Sequence, residues 1–169
     1  MEARYPSESC TILTDLVLPG ETNPLNNLFG GELLARMDRA AGIAAGRHSR
    51  RIVVTASVNH VAFSKAIPLG SVVTVEATVS RAFKSSMEVV IDVWIEDRQS
   101  GDKTKANEAI YTFVAVDDRG APVAVPPIKP ETEQEHQRYD AALRRKQLSL
   151  VLAGKMKPDD ATELKALFV

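Results

Sequence analysis

The chain has 169 residues, 44% hydrophobic and 25% charged, with Lys+Arg 21 against Asp+Glu 22 and a formal net charge of −1. That length can bury a sizeable core in one domain with an appendage, and the ordinary composition argues against wholesale disorder or a fibrous repeat. Near-neutrality argues against nucleic-acid binding by bulk phosphate neutralisation, so an anionic ligand would need a local basic patch.

The N-terminal MEARYPSESC has no apolar h-region, and no stretch approaches the length needed to cross a bilayer. Residues 9–18, rich in Ile, Leu, Val and Thr, read as a first strand ended by Pro19-Gly20. Cys10, the only cysteine, can form no internal disulfide and has no metal-ligand grouping around it. The expectation is a non-metallic protein of a reducing cytoplasm, with neither membrane nor nucleic acid as partner. After a turn-rich loop, ETNPLNN, a helix is predicted from Gly30, with Leu33, Leu34, Met37, Ala41 and Ala44 on one arc. Glu32, Arg36 and Arg39 are expected opposite that arc. Small residues fill the helix, permitting close approach to a sheet. Four strand-like runs follow at 52–63, 71–83, 86–97 and 104–117, separated by Pro68-Leu69-Gly70, Lys84-Ser85 and Gln99-Ser100-Gly101-Asp102. Short connections imply an antiparallel sheet, so the fold class is α+β, one long helix against a curved sheet. Its open edges favour an oligomer that pairs sheets. Beyond residue 131, Thr132 with Glu135 makes a capping box before a further helix, and Pro158-Asp159-Asp160 opens a last short one.

Chemistry-bearing residues are sparse. Asp38 falls at the edge of the apolar stripe beside Ala45, where a carboxylate is costly unless paired or functional. It is either a satisfied structural carboxylate or a catalytic one. Gly30-Gly31 opens the helix where free amides and the positive dipole end meet. The pair either admits a ligand oxygen or simply makes a tight turn. Asn23 by itself reads as a turn residue. His60 shares parity with Val58 and Ala62 and is expected to face the core, while His48 and His136 read as surface residues. Basic residues gather near turns: Arg81 with Lys84, Lys103 with Lys105, and Arg47 with Arg50 and Arg51.

TNPLNNLFGGELLARMD, VVTASVNHVAF, the KSSME turn and NEAIYTFVAVD together resemble the hotdog-fold acyl-CoA thioesterases, in the group of bacterial short- to medium-chain hydrolases related to the cytosolic brain-type enzyme. The likeness runs from about residue 9 to 128. It implies a hotdog domain over 1–128, a helical extension over 129–169, and hydrolysis of acyl-CoA to free acid and CoA. By resemblance, Asp38 is the general base or nucleophile, and Asn23 acts opposite it from a partner subunit. The Gly30 and Gly31 amides polarise the thioester carbonyl. Lys84, Ser85 and Ser86, with Arg81, Lys105 and Asn107, are the candidate CoA contacts. No metal or cofactor is implied beyond the CoA of the substrate. The implied assembly is a dimer, extending to a trimer of dimers (a hexamer). Two positions depart from the family pattern: Asn26 replaces a common glycine, which asparagine's tolerance of left-handed geometry accommodates, and Asn59 replaces a usual acidic residue. The alternatives are a non-catalytic acyl-CoA-binding or sensing protein and a hotdog hydratase or dehydratase, whose chemistry usually needs a histidine with the carboxylate.

Overall fold

The computed structural model describes all 169 residues. Its elements run β1 (Thr11–Leu16), α1 (Gly30–Ser49), β2 (Ile52–Ala62), β3 (Val72–Ala82), β4 (Ser86–Glu96), β5 (Lys103–Val116), α2 (Glu133–Leu152) and α3 (Thr162–Lys165). The five strands form one antiparallel sheet in the order β1-β3-β4-β5-β2. Thus β1 and β2 are the edges.

Strand alternation explains the core. Val73, Val75, Ala77 and Val79 of β3, Met87, Val89, Ile91 and Val93 of β4, and Ala109, Tyr111, Phe113 and Ala115 of β5 are all buried. They line the inner face. Against them α1 buries Leu33, Met37, Ala40, Ala41, Ala44 and Ala45, making a single apolar cluster with the sheet. The alanines let the helix axis sit close to the strands, as the sequence predicts.

The outer face of the sheet carries α2. Its arginines meet carboxylates projecting outward from β4. Arg145 grips Glu88 through two bonds of 2.8 and 2.7 Å, and Ser80 donates a third at 2.7 Å. Arg138 donates to Asp92 at 2.8 Å, and the Lys105 ammonium lies 2.7 Å from its other oxygen. Burial opposes ionisation of Asp92, but the hydrogen bonds from Lys105 and Arg138 outweigh it and hold the carboxyl below its ordinary range. The Arg81 guanidinium lies 3.9 Å from the Tyr139 ring centroid and donates to the Tyr139 carbonyl. These pairs fix where α2 lies.

The predicted elements are present to within about two residues at most boundaries. The first strand is shorter than its apolar run because Pro6–Ser9 form a 3₁₀ turn and Val17 leaves the ladder to bond Ser71. The capping box forms as predicted: Glu135 N–H donates to Thr132 Oγ1, and Thr132 N–H donates to the Glu135 carboxylate. Asn26 has φ 57°, the left-handed turn its residue type tolerates.

Three expectations are corrected. Arg36 is buried rather than on an exposed polar face, because Glu21 lies 2.7 Å away and the Leu16 carbonyl takes a second bond. His60 does not face the core, because a bulge between Asn59 and Ala62 breaks the parity. It sits there exposed, at φ 51°. His48 is not a surface residue. It is fully buried, with Nε2 2.7 Å from the Pro126 carbonyl beneath the segment after β5.

Burial pushes the His48 pKa down, outweighing the Pro126 bond that raises it. A histidine with a depressed folded pKa binds fewer protons folded than unfolded, so stability falls as pH drops through the unfolded value of about 6.5. We expect the melting temperature to decline below that pH, and His48→Gln to flatten the decline. Parallel melting curves for the two proteins from pH 8 to 5 make the comparison, and an equal slope contradicts the assignment.

Candidate active site

Asp38 lies midway along α1, on the flank that turns from the core toward β2. Its neighbours on that helical face, at offsets of −7, −3, +4 and +7, are Gly31, Ala35, Gly42 and Ala45. Leu34, at −4, is the one large side chain on that face, and the carboxylate stays partly exposed even though its helix is the central element of the core. Thr55 of β2 donates its hydroxyl to Asp38 Oδ1 at 2.7 Å. In the ladder Thr55 pairs with Phe113, whose ring packs against Gly42. Two residues earlier on β5, the buried Tyr111 donates its hydroxyl to the Leu34 carbonyl at 3.0 Å, one turn before Asp38. Burial, and then the negative charge of Asp38, push the Tyr111 phenol up to about 12. The phenol is therefore a donor throughout the working pH range. Tyr111 and Phe113 grip α1 on either side of the carboxylate.

A second group of polar atoms gathers at the start of α1. The Asn23 side-chain oxygen accepts the Leu25 and Asn27 amides at 3.0 and 3.2 Å, shaping the loop. That leaves its Nδ2 as the unspent group. Phe29 occupies the N-cap position and offers no side-chain acceptor, so the first amides of the helix lack a cap. An open hollow of about 350 Å³ is walled by Asn23, Gly30, Phe63, Lys65 and the buried Asn107, among others. Space beside Gly31 is free, and a Cβ at Gly30 would lie 3.6 Å from the Phe63 ring.

These two groups do not meet within one chain. Gly30 and Asp38 are eight residues apart on one helix, hence about 12 Å along its axis, and Asp38 does not line the hollow. The edge strand β2, which carries Thr55, has no neighbour on its outer side and leaves Ile52, Val54 and Val58 exposed.

Of the candidate CoA contacts, the structure places only Asn107 in the wall of the Asn23 hollow. Arg81 holds α2, and Lys105 is shared between Asp92 and Glu108. Ser86 is buried at the start of β4, the Ser85 carbonyl accepts the Ala115 amide, and Lys84 is exposed at the same turn. A larger hollow of about 680 Å³ lies on the outer face between α2 and β5, away from Asp38 and Asn23, with Arg138 and Arg145 already paired to carboxylates. Sequence reasoning missed Thr55 and Tyr111. Tyr111 was visible only as one of the alternating apolar positions of β5, and Thr55 as a β-branched residue in a strand.

An antiparallel sheet curled around one long helix, with a carboxylate on the helix flank and free amides at its start, defines a hotdog-fold protein. The Thioesterase superfamily profile matches residues 25–101. The uncharacterized acyl-CoA thioester hydrolase YkhA of Bacillus subtilis is 42% identical over 144 residues, covering 85% of this chain and 84% of that one. A hexameric acyl-CoA thioesterase superposes with a TM-score of 0.87 at 37% identity, over 90% of this chain and 98% of the other. The acyl-CoA hydrolase of Staphylococcus aureus, solved with butyryl-CoA and CoA, superposes at 0.83 with 36% identity, over 97% and 99%. That enzyme has also been solved with an asparagine, an aspartate and a threonine individually replaced by alanine. Their spacings, 15 and then 17 residues, are those of Asn23, Asp38 and Thr55 here. The chain belongs to the acyl-CoA thioester hydrolases of the thioesterase superfamily.

Removing the Tyr111 hydroxyl should cost about 1 kcal/mol, the usual net worth of a buried neutral hydrogen bond whose acceptor keeps a second partner. Urea unfolding of Tyr111→Phe against the parent protein measures it.

Proposed function

We propose that this chain hydrolyses acyl-CoA to the free acid and CoA, at a site built by two copies. The observation that carries the reading is the Asp38–Thr55 pair, a charge-assisted 2.7 Å bond set on an open flank. The recurrence of the Asn, Asp and Thr spacing in a CoA-binding relative supports it. With one carboxylate oxygen held by Thr55, the other is available to a water. That water attacks the thioester carbonyl carbon while Asp38 takes its proton. Negative charge then develops on the carbonyl oxygen and needs donors, which the α1 amides at Gly30 and Gly31 and the Asn23 Nδ2 supply. Collapse of the tetrahedral species breaks the carbon–sulfur bond, and the leaving thiolate recovers the proton.

The donors and the base are about 12 Å apart along one helix. The reading therefore pairs Asp38 of one subunit with Asn23 and the helix start of another. The unpaired β2 edge beside Thr55 is where such a partner would lie, and the similar enzyme of known structure is called hexameric. A hydratase is less well served: His48 is tied to Pro126, His60 borders the outer hollow and His136 lies on α2.

Asp38→Asn should lower kcat about 10²–10⁴-fold with the circular dichroism and CoA affinity unchanged. Thr55→Ala should cost about tenfold or more, the worth of a hydrogen bond to a charged group. A panel of acyl-CoA thioesters read with a thiol-trapping dye measures both, and undiminished turnover by Asp38→Asn refutes the assignment.

The shared site has its own test. Asp38→Ala and Asn23→Ala should each be inactive alone, yet co-expressed they should recover about a quarter of the parent activity, because each mixed dimer holds one intact site. Mixed dimers without recovered activity contradict it.

A further inference from the structure

We propose that Asn107 is a substrate-binding residue, whose side-chain Nδ2 donates to a carbonyl oxygen of the bound acyl-CoA. The inference rests on the hydrolase reading above and assigns a donor that the reading does not use. Asn107 lies on β5 opposite Val93 and is only 2% exposed, on the inner row continued by Ala109, Tyr111, Phe113 and Ala115. A polar side chain at the end of that apolar row is costly unless both ends of its amide are satisfied. One end is: Oδ1 accepts the Ser64 amide at 3.0 Å, which ties the segment after β2 to the sheet and fixes the orientation of the amide. The other is not. Nδ2 is fully buried with no partner.

The surroundings select what would partner it. Asn107 belongs to the wall of the 350 Å³ hollow that also holds Asn23 and Gly30. Donors outnumber acceptors among the free polar groups of that wall, although the Asn27 side-chain amide brings one of each. Asn23 has spent its oxygen on the loop and retains Nδ2, the amides opening α1 have no side-chain cap, and Lys65 makes no ion pair. A cradle of this kind accepts an oxygen rather than a proton donor. Acyl-CoA brings such oxygens in two places, the thioester carbonyl and the amides of the pantetheine arm. Nδ2 is closed off in the free chain, so a ligand oxygen reaches it only as the wall gives way, and its arrival would remove the unmet donor. The orientation is set in advance, because the Ser64 bond prevents the amide from flipping.

Asn107→Asp tests this directly: it keeps the acceptor for Ser64 and replaces the donor with an oxygen. Asn107→Ala serves as the second variant, with folding of both checked by melting temperature. Calorimetry on the full-length protein compares CoA, an S-alkyl thioether of CoA, and the corresponding non-hydrolysable ketone analogue. We expect at least a tenfold loss of affinity in both variants. A loss confined to the ketone analogue assigns Nδ2 to the thioester carbonyl, and an equal loss for all three assigns it to a pantetheine amide. Folded variants that bind all three ligands like the parent protein overturn the proposal. Because binding rather than turnover is read, an active Asp38→Asn would refute the hydrolytic reading alone. Unchanged affinity in the Asn107 variants beside an inactive Asp38→Asn would refute this inference alone.

Discussion

The close seating of α1 on the inner face of the sheet is the constraint on which the remaining structure depends. Ala40, Ala41, Ala44 and Ala45 are fully buried there, in one apolar cluster with the inner-face residues of β3, β4 and β5. Larger side chains at those positions would lift the axis and lose the contacts that an interior at close packing requires. The small residues Ala35 and Gly42 on the adjoining flank leave Asp38 half-buried rather than sealed under the sheet. A carboxylate can thus sit on the central structural element with part of its surface open to solvent. Core packing and the partial exposure of this carboxylate are two results of one residue pattern.

Rigid support comes from the sheet. Tyr111 holds the Leu34 carbonyl, Phe113 packs on Gly42, and Thr55 holds the carboxylate itself. Each is a side chain of β5 or β2, so the position of Asp38 is fixed by strands formed after it in the chain. The donor-rich hollow is likewise composite, joining a loop before α1, the helix start, the segment after β2 and Asn107 of β5. A helix presents its free amides at one end only, while Asp38 lies two turns further along. That spacing makes two copies a requirement of the proposed chemistry, and β2 is left as an unpaired edge beside Thr55.

Near-neutral net charge conceals a marked internal pairing. Glu88 and Asp92 project outward from β4 and are buried under α2, each against an arginine from that helix, with Lys105 completing the second group. Such pairs contribute modestly to stability, because desolvation offsets their attraction, but losing one partner would strand a buried charge. Their effect is to fix the placement of α2. The cost for recognition is that Arg81 and Lys105, which looked free from their places near turns, are already engaged.

Much of this was legible in the residues. Alternation with short turn-rich connections marks four of the five strands closely, the 3.6-residue apolar period marks α1, and Thr132 with Glu135 marks the start of α2. These signals are local, so the chain states them without knowing its neighbours. Even Asp38 on the edge of the apolar stripe follows from helical geometry. What the sequence could not state depends on contacts between distant segments. The bulge that turns His60 outward is a mismatch between two strands. The burial of His48 and Arg36 is decided by Pro126 and Glu21. The approach of Asn107 to Asn23 and Gly30 comes from the order in which the strands pair. The sequence by itself determined the elements, the class and the place of Asp38 on the flank of its helix. Only the tertiary structure decided which charges are free, which donor is left unmet and how far Asp38 stands from the helix start, because those depend on who lies opposite whom.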